Sequence, residues 1–322
     1  MVRETLRHWF GVKKPTLALQ LVEQEARYVV RQGSHILAQG FCVAPNAVVE
    51  GRLVDPAGLA RVLLPKLPKL KGQVATVLPT RWLHVHDMSL PRGLDREELS
   101  YQVSRHITHT LGLSLNDVFY DWVVRSNSID KRNTDIQLAI ARQTDVVPYS
   151  HVFADTDWRM KWVCSEAQVW AFAYQNRMTR PPIAICQVES REITLWFIDA
   201  DLRVRSFYKR LDETQIARAG FVYQTSAQKE GGLLQLPARF VADELASLLP
   251  VWLGSSVQDL TMIYGAGKGF AWREGMAAIQ SRIGLPIRIA EEGLIANRLR
   301  GQVPSIQAGL AILWHLSKQV NT

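Results

Sequence analysis

Three constellations in this chain hold residue types that could do chemistry. Gly265-Ala266-Gly267-Lys268-Gly269 lies between an apolar run and an amphipathic stretch. A phosphate-binding turn would have that setting, at the start of a helix. The spacing matches neither a Walker loop nor GxGxxG, because Phe270 stands where the last glycine is needed. A tight turn that requires glycine is the plainer reading, with a vestigial adenosine contact at Gly265, Ala266 and Gly267 beside it. The second constellation is His84-Val85-His86-Asp87. On a strand, His84 and His86 share one face, and His106 or His109 on a following helix could add a ligand. No cysteine or glutamate completes a ligand spacing, and half-exposed sheet histidines make the same pattern, so no metal is expected. The third is Cys42, Cys164 and Cys186, far apart and each in an apolar stretch. They read as small core residues in a reducing compartment. Neither a G-x-S-x-G elbow nor a local Cys-His pairing is present, so no catalytic residue is assigned.

The elements that must position these residues repeat in order. Thr16–Val22, Ala26–Gln32 and Ile36–Val43 read as strands, with a hairpin signal at Gly33-Ser34. Asp55-Pro56 opens a helix to about Leu64, and a buried strand follows at Val74–Leu78. Later, Ile183–Val188, Glu192–Ile198 and Arg203–Tyr208 form a second meander, with a turn at Asp199-Ala200-Asp201. Helices follow from about Asp212 and over Phe240–Leu249, then a strand at Leu260–Tyr264 and a helix over Phe270–Ile283. A meander, a helix and another strand, occurring twice, predict two similar α/β lobes. Between them, Arg81–Leu90, Val118–Arg125 and Asp135–Ala141 read as strands. Leu94–Leu111 reads as a helix capped by Asp95 and Glu98, with an apolar stripe of Leu99, Val103, Ile107 and Leu111.

Length and composition agree with two domains. The chain has 322 residues, 47% of them hydrophobic, enough for two cores. Its 38 Lys and Arg against 30 Asp and Glu give a net charge of +8, spread without a polybasic run. Nucleic acid is therefore not an expected partner, and Trp162, Trp170 and Trp196 lie in apolar stretches. No apolar run approaches the length of a membrane span, and Met1–Lys14 lacks the features of a secretory signal. A cytoplasmic chain is expected. If residues 2–10 are helical, Leu6, Trp9 and Phe10 share one face beside basic residues, which suits a membrane interface. The division read from the sequence is a basic amphipathic segment at 1–14, a first lobe at 15–181 containing an insert at about 86–148, and a second lobe at 182–322 with a smaller helical part at about 211–258.

A resemblance runs through the chain as a series of segments. They are Leu6–Lys14, Val48–Asp55, Glu97–Leu111 with Asp117–Asp121, Glu166–Ala171, Ile263–Gly267 and Gly309–Ala311. In that order they resemble actin-like ATPases, especially FtsA, and more narrowly the PilM family of type IV pilus assembly proteins. The relatives HofM and MshI and the cytoplasmic domain of GspL are similar too. The resemblance implies an α/β, actin-like (FtsA-like) fold of two duplicated ribonuclease-H-like lobes with a subdomain inserted in the first. It implies a peripheral scaffold at the inner face of a bacterial inner membrane, serving a type IV pilus or related secretion system. The implied partner is the cytoplasmic N-terminal peptide of a PilN-type single-pass protein, bound between the first lobe and its insert. Contacts with further copies of itself, or with the pilus ATPase or platform, are also implied.

The departures bear on chemistry. Active members hold Mg-ATP with one phosphate hairpin per lobe, each built on Asp-Ile-Gly. The corresponding positions here are Gln20-Leu21-Val22 and Gln187-Val188-Glu189. An amide replaces each acidic group, while Val22 and Glu189 replace the glycines. A β-branched residue avoids positive φ, and a glutamate beside a polyphosphate repels it. The expectation is a degenerate site, no cofactor and no ATP hydrolysis. The alternatives are a member that still binds ATP and Mg and hydrolyses slowly, or a nucleic-acid-binding protein.

Overall fold

The structure, a computed structural model, describes residues 15–32, 35–124, 132–167, 182–199, 204–220, 222–223, 234–267 and 269–289. These divide into two compact units, one up to Ser165 and one from Glu166. The end of the first lobe read from the sequence, at 181, lies outside the described residues.

In the first unit, β1 (Thr16–Val22), β2 (Glu25–Gln32) and β3 (His35–Val43) form an antiparallel meander. The small hairpin of β4 (Val48–Val49) and β5 (Arg52–Leu53) follows. Next comes α1 (Pro56–Leu63), started by the Asp55 carboxylate accepting from the Gly58 N–H at 2.9 Å, with proline in its first turn. The chain then crosses back as β6 (Gly72–Leu78), parallel to β1. The sheet closes with β10 (Trp158–Ser165), parallel to β6, giving the order β10-β6-β1-β2-β3. The near-continuous apolar pattern of β1 and β6 is that of strands buried on both faces.

The insert is a three-stranded antiparallel sheet, β7 (Leu83–Pro91), β9 (Asn133–Arg142) and β8 (Val118–Val124), in the order β7-β9-β8. One face is covered by α2 (Arg96–Arg105) and a π-helical turn, His106–Thr110. Asp95 and Glu98 form the anticipated reciprocal cap. The regular helix ends earlier than its apolar stripe suggests. Thr108 Oγ1 donates to the Ser104 and Arg105 carbonyls, and Leu111 N–H reaches back to His106 O at 3.1 Å. A hydroxyl competing for helix carbonyls loosens the turn. Leu99, Val103 and Ile107 are nevertheless buried against Ile136, Leu138 and Ile140, so the insert has its own small core. The chain returns to the lobe through α3 (Gln143–Val152), which contains Pro148. That proline reads as a helix breaker in sequence, and neither α3 nor β10 was anticipated.

The second unit repeats the plan. β11 (Ile183–Val188), β12 (Glu192–Ile198) and β13 (Val204–Arg210) form the meander, followed by α4 (Glu213–Ala219), capped by Asp212. After the short pair β14 (Val222–Tyr223) and β15 (Leu234–Gln235) come α5 (Ala238–Leu253), β16 (Met262–Ala266), α6 (Trp272–Ile283) and β17 (Ile287–Ile289). The sheet order is β13-β12-β11-β16-β17, with β16 parallel to β11 and β17 parallel to β16. It matches the first sheet strand for strand, so the fold is duplicated. The stretch Ala238–Val257, with mean hydropathy 1.2, is long and apolar enough to cross a membrane by length and composition, which corrects the expectation that no run approaches that length. Here Val241, Leu245, Leu249 and Leu253 point into the unit's core. On its polar side Asp243 pairs with Arg282 at 2.9 Å and Glu244 with Lys209 at 2.5 Å.

Candidate functional site: two closed hairpins and an open sheet face

The first hairpin joins β1 to β2 through Glu23-Gln24. Gln20 is fully buried and lies opposite Arg27, itself buried, whose Nε is 3.4 Å from Glu25 Oε2. Val22 stays in the ladder opposite Glu25, and the positive φ falls on Glu23, at 51°. The strain anticipated at Val22 is thus displaced by one residue. A β-branched side chain keeps extended backbone, so the unbranched glutamate takes the left-handed position. Neighbouring segments hold this turn. Gly51 N–H donates to Glu23 O and Ala44 N–H to Gln24 O, both at 2.8 Å. Gly51 belongs to the β4–β5 turn, where Glu50 and Gly51 both have positive φ, 53° and 71°, as a two-residue hairpin turn with the twist of its strands requires.

In the second unit the hairpin β11–β12 turns at Glu189–Arg191, and Glu189 N–H donates to Glu192 O at 2.9 Å. Gln187 Nε2 donates to Glu189 Oε1 at 2.9 Å, with both side chains buried. The glycine turn packs on this hairpin backbone to backbone, with Gly269 N–H donating to Val188 O at 2.9 Å. A Cβ at Gly267 would lie 2.2 Å from Val188 O, and one at Gly269 2.1 Å from the Glu189 carbonyl carbon. Gly265 is equally committed, since a Cβ there would lie 2.2 Å from the Trp272 ring. Trp272 Nε1 donates to the Ala266 carbonyl at 2.7 Å and meets Phe270 edge to face at 4.9 Å. Gly265, Gly267 and Gly269 therefore each serve close packing inside the unit.

The other sequence candidates separate. His86 and His106 face each other at 6.4 Å between ring centroids. Among the described residues no group of three or more His, Cys, Asp or Glu could hold a metal. Burial pushes the Cys42 thiol up to about 11 and Cys164 to about 12, and raises Cys186 further, so none is a nucleophile at neutral pH. Leu6, Trp9 and Phe10 lie outside the described residues.

A feature that sequence reasoning missed is the uncovered face of the insert's sheet. The ladder places Leu83, Ala141 and Phe119 in one row and Val85, Ala139 and Asp121 in the next, all on the face away from α2. Phe119 is 47% exposed and Val85 37%. Leu83 and Ala141 pack into the core of the parent lobe, so this face runs into the lobe. At the junction, two guanidinium groups lie near the Trp82 ring, Arg52 at 5.4 Å and Arg81 at 5.3 Å from its centroid. Arg52 also pairs with the buried Asp145 of α3 at 2.8 Å. The indole Nε1 of Trp82 is buried with no acceptor among the described residues. The junction thus combines an exposed apolar strip with a cationic flank. Only the alternation of β8 and β7 hinted at it.

No family model matches this chain, and no curated protein matches its sequence. Among solved structures, the PilM-PilN type IV pilus biogenesis complex superposes with a TM-score of 0.71, over 96% of this chain and 99% of that one, at 16% identity. The chain has a PilM-like, actin-like fold. Looser likenesses are the ethanolamine utilization protein EutJ from Carboxydothermus hydrogenoformans (TM-score 0.47, 12% identity, 92% of this chain and 89% of that one) and the cytoplasmic domain of EpsL, an inner membrane component of the Vibrio cholerae type II secretion system (0.43, 13%, 94% and 94%). In a PilM-like fold the β1–β2 and β11–β12 hairpins are counterparts in duplicated lobes, as the matching sheet orders within this chain require.

Proposed function

We propose that this chain is a PilM-like scaffold for assembly of a type IV pilus or related secretion machine, peripheral at the cytoplasmic face of the inner membrane. In this reading it does not hydrolyse ATP. The observation that carries the reading is the end-to-end match to PilM in its complex with PilN. The uncovered face of the insert's sheet gives a partner somewhere to bind. An extended N-terminal peptide of a PilN-type protein would lay apolar side chains on Val85 and Phe119. Directional bonds together with anchored side chains are how grooves hold peptides.

The pseudo-enzyme part of the reading draws on the hairpins. Neither carries an acidic side chain at the strand position that would organise Mg, since Gln20 and Gln187 stand there. The Glu189 carboxylate is buried in the second hairpin, where added phosphate would meet like charge in a poorly screened setting. The test has two arms. A labelled N-terminal peptide of the PilN-type protein from the same genome, titrated by fluorescence anisotropy, should bind saturably. Mg-ATP should leave the melting temperature unchanged, since any ligand held well above its Kd raises it. Peptide that fails to bind would remove the partner, and a clear rise with Mg-ATP would remove the degenerate site.

A further inference from the structure

The helical layer of the insert is attached to its sheet partly through imidazoles. His86, on β7, meets His106, the first residue of the π turn, edge to face at 6.4 Å. His84, two residues earlier on the same strand, has the same face, and its row partner on β9 is Ile140. The row partner of His86 is Leu138, and Ile107, next to His106, is buried in the insert's core. The charged groups acting on His86 are His84 and His106, which oppose its protonation, and Asp87, which favours it. Asp87 points to the opposite face of the sheet, where its Oδ1 accepts from Gln137 Nε2 at 3.3 Å. From β9 the His86 row presents Leu138, and from β8 Trp122 beyond it, neither of them ionisable. Arg105, beside His106, adds more positive charge to the helical layer.

We propose that the His86–His106 contact makes α2 and the π turn an acid-released layer, held on the insert's sheet while His86 is neutral and loosened when it gains a proton. Protonating His86 puts a cation over an apolar floor beside His84 and His106, with the Asp87 carboxylate on the opposite face of the sheet. Burial, then His84 and His106, hold the His86 imidazolium below its ordinary range. The folded insert thus binds fewer protons than the unfolded segment, and stability is present at high pH and lost as pH falls through about 6.5. The π turn, already a departure from regular helix, is where such a layer would open. The proposal does not depend on which partner the chain binds.

Hydrogen exchange on the full chain, corrected for intrinsic rates, tests it at about pH 7.5 and about pH 5.5. Peptides over 96–110 should lose protection at least about threefold at the lower pH, while β11 and β12 keep theirs. The difference should vanish in the double variant His86→Gln, His106→Gln. Equal protection at both pH values, a loss shared by both units, or a loss that persists in the double variant would each overturn the proposal. If the double variant fails to fold, histidine NMR of the unmodified chain and of His106→Gln decides. His86 should titrate below about 6.5 and move upward in His106→Gln. Titration at the ordinary value in both would end the idea.

Discussion

Gln187 and Glu189 lie two residues apart at the end of β11 and are joined by a buried 2.9 Å hydrogen bond from amide to carboxylate. The pair occupies the second hairpin with its own polar groups, and Gly269 N–H donates to Val188 O of the same hairpin at 2.9 Å. A hairpin so occupied cannot be made a phosphate cradle by editing the other lobe. The variant Gln20→Asp, Val22→Gly should therefore show no ATP turnover in a coupled phosphate-release assay. It should also lose about 2–4 kcal/mol in urea unfolding, because Val22 is buried and glycine weakens a strand. Turnover above the background of a purified control would refute this.

The glycines of the second unit should divide into two classes. Gly267→Ala and Gly269→Ala drive a Cβ into backbone at 2.2 Å and 2.1 Å, and a strand end cannot move aside. Each should cost about 2 kcal/mol or more. Gly284→Ala has φ of 71° and nothing within 4 Å of the new Cβ, so only the left-handed conformation is charged, about 1 kcal/mol. Urea midpoints at constant slope would measure the gap, and equal losses in both classes would contradict the packing account.

At the junction of lobe and insert, Arg52→Ala leaves the Asp145 carboxylate buried without its cation. Arg52 is nearly half exposed, so the loss should be about 1–2 kcal/mol, below the range for a fully buried pair. Arg52→Ala, Asp145→Asn should recover part of it. A double-mutant cycle by thermal unfolding reads the coupling directly.

On the uncovered sheet face, Phe119→Asp removes apolar area that no core needs. Affinity for the partner peptide should fall at least about tenfold, with a melting temperature within a few degrees of the parent. A matched change on the helical side, Tyr101→Asp, should leave affinity alone, since Tyr101 is exposed on α2.

The buried thiols set an alkaline limit. Their protonated forms are favoured in the folded chain, Cys42 up to about 11 and Cys164 to about 12, against an ordinary thiol of 9.0. Above the ordinary value the unfolded chain releases protons that the folded chain keeps, so stability is intact below pH 9 and falls as pH rises beyond it. Burial raises Tyr28 as well, in the same direction. Urea unfolding at about pH 8 and about pH 10 should differ by on the order of 1 kcal/mol per thiol, and Cys164→Ala should reduce the difference.

Local rules determined much of this architecture. β1, β11 and β12 have the bounds their apolar runs suggest, because strands buried on both faces are unbroken in sequence. The caps at Asp55, Asp95 and Asp212 lie where side-chain oxygens can satisfy the first free N–H groups of a helix. The order of those elements, repeated, was enough to read a duplicated two-lobed fold. Tertiary structure decided the rest. Pro148 hid α3 because a helix around a proline is stabilised by packing and not by propensity. The positive φ moved from Val22 to Glu23 because the ladder holds Val22 extended. The role of Gly267 and Gly269 depended on Val188 and Glu189, distant in sequence yet against the turn, and that of Gly265 on the way the nearby Trp272 ring folds back onto it. The pairing of His86 with His106 and the exposed face carrying Phe119 and Val85 depend on which face the helical layer covers, a choice that alternation along a single strand leaves open.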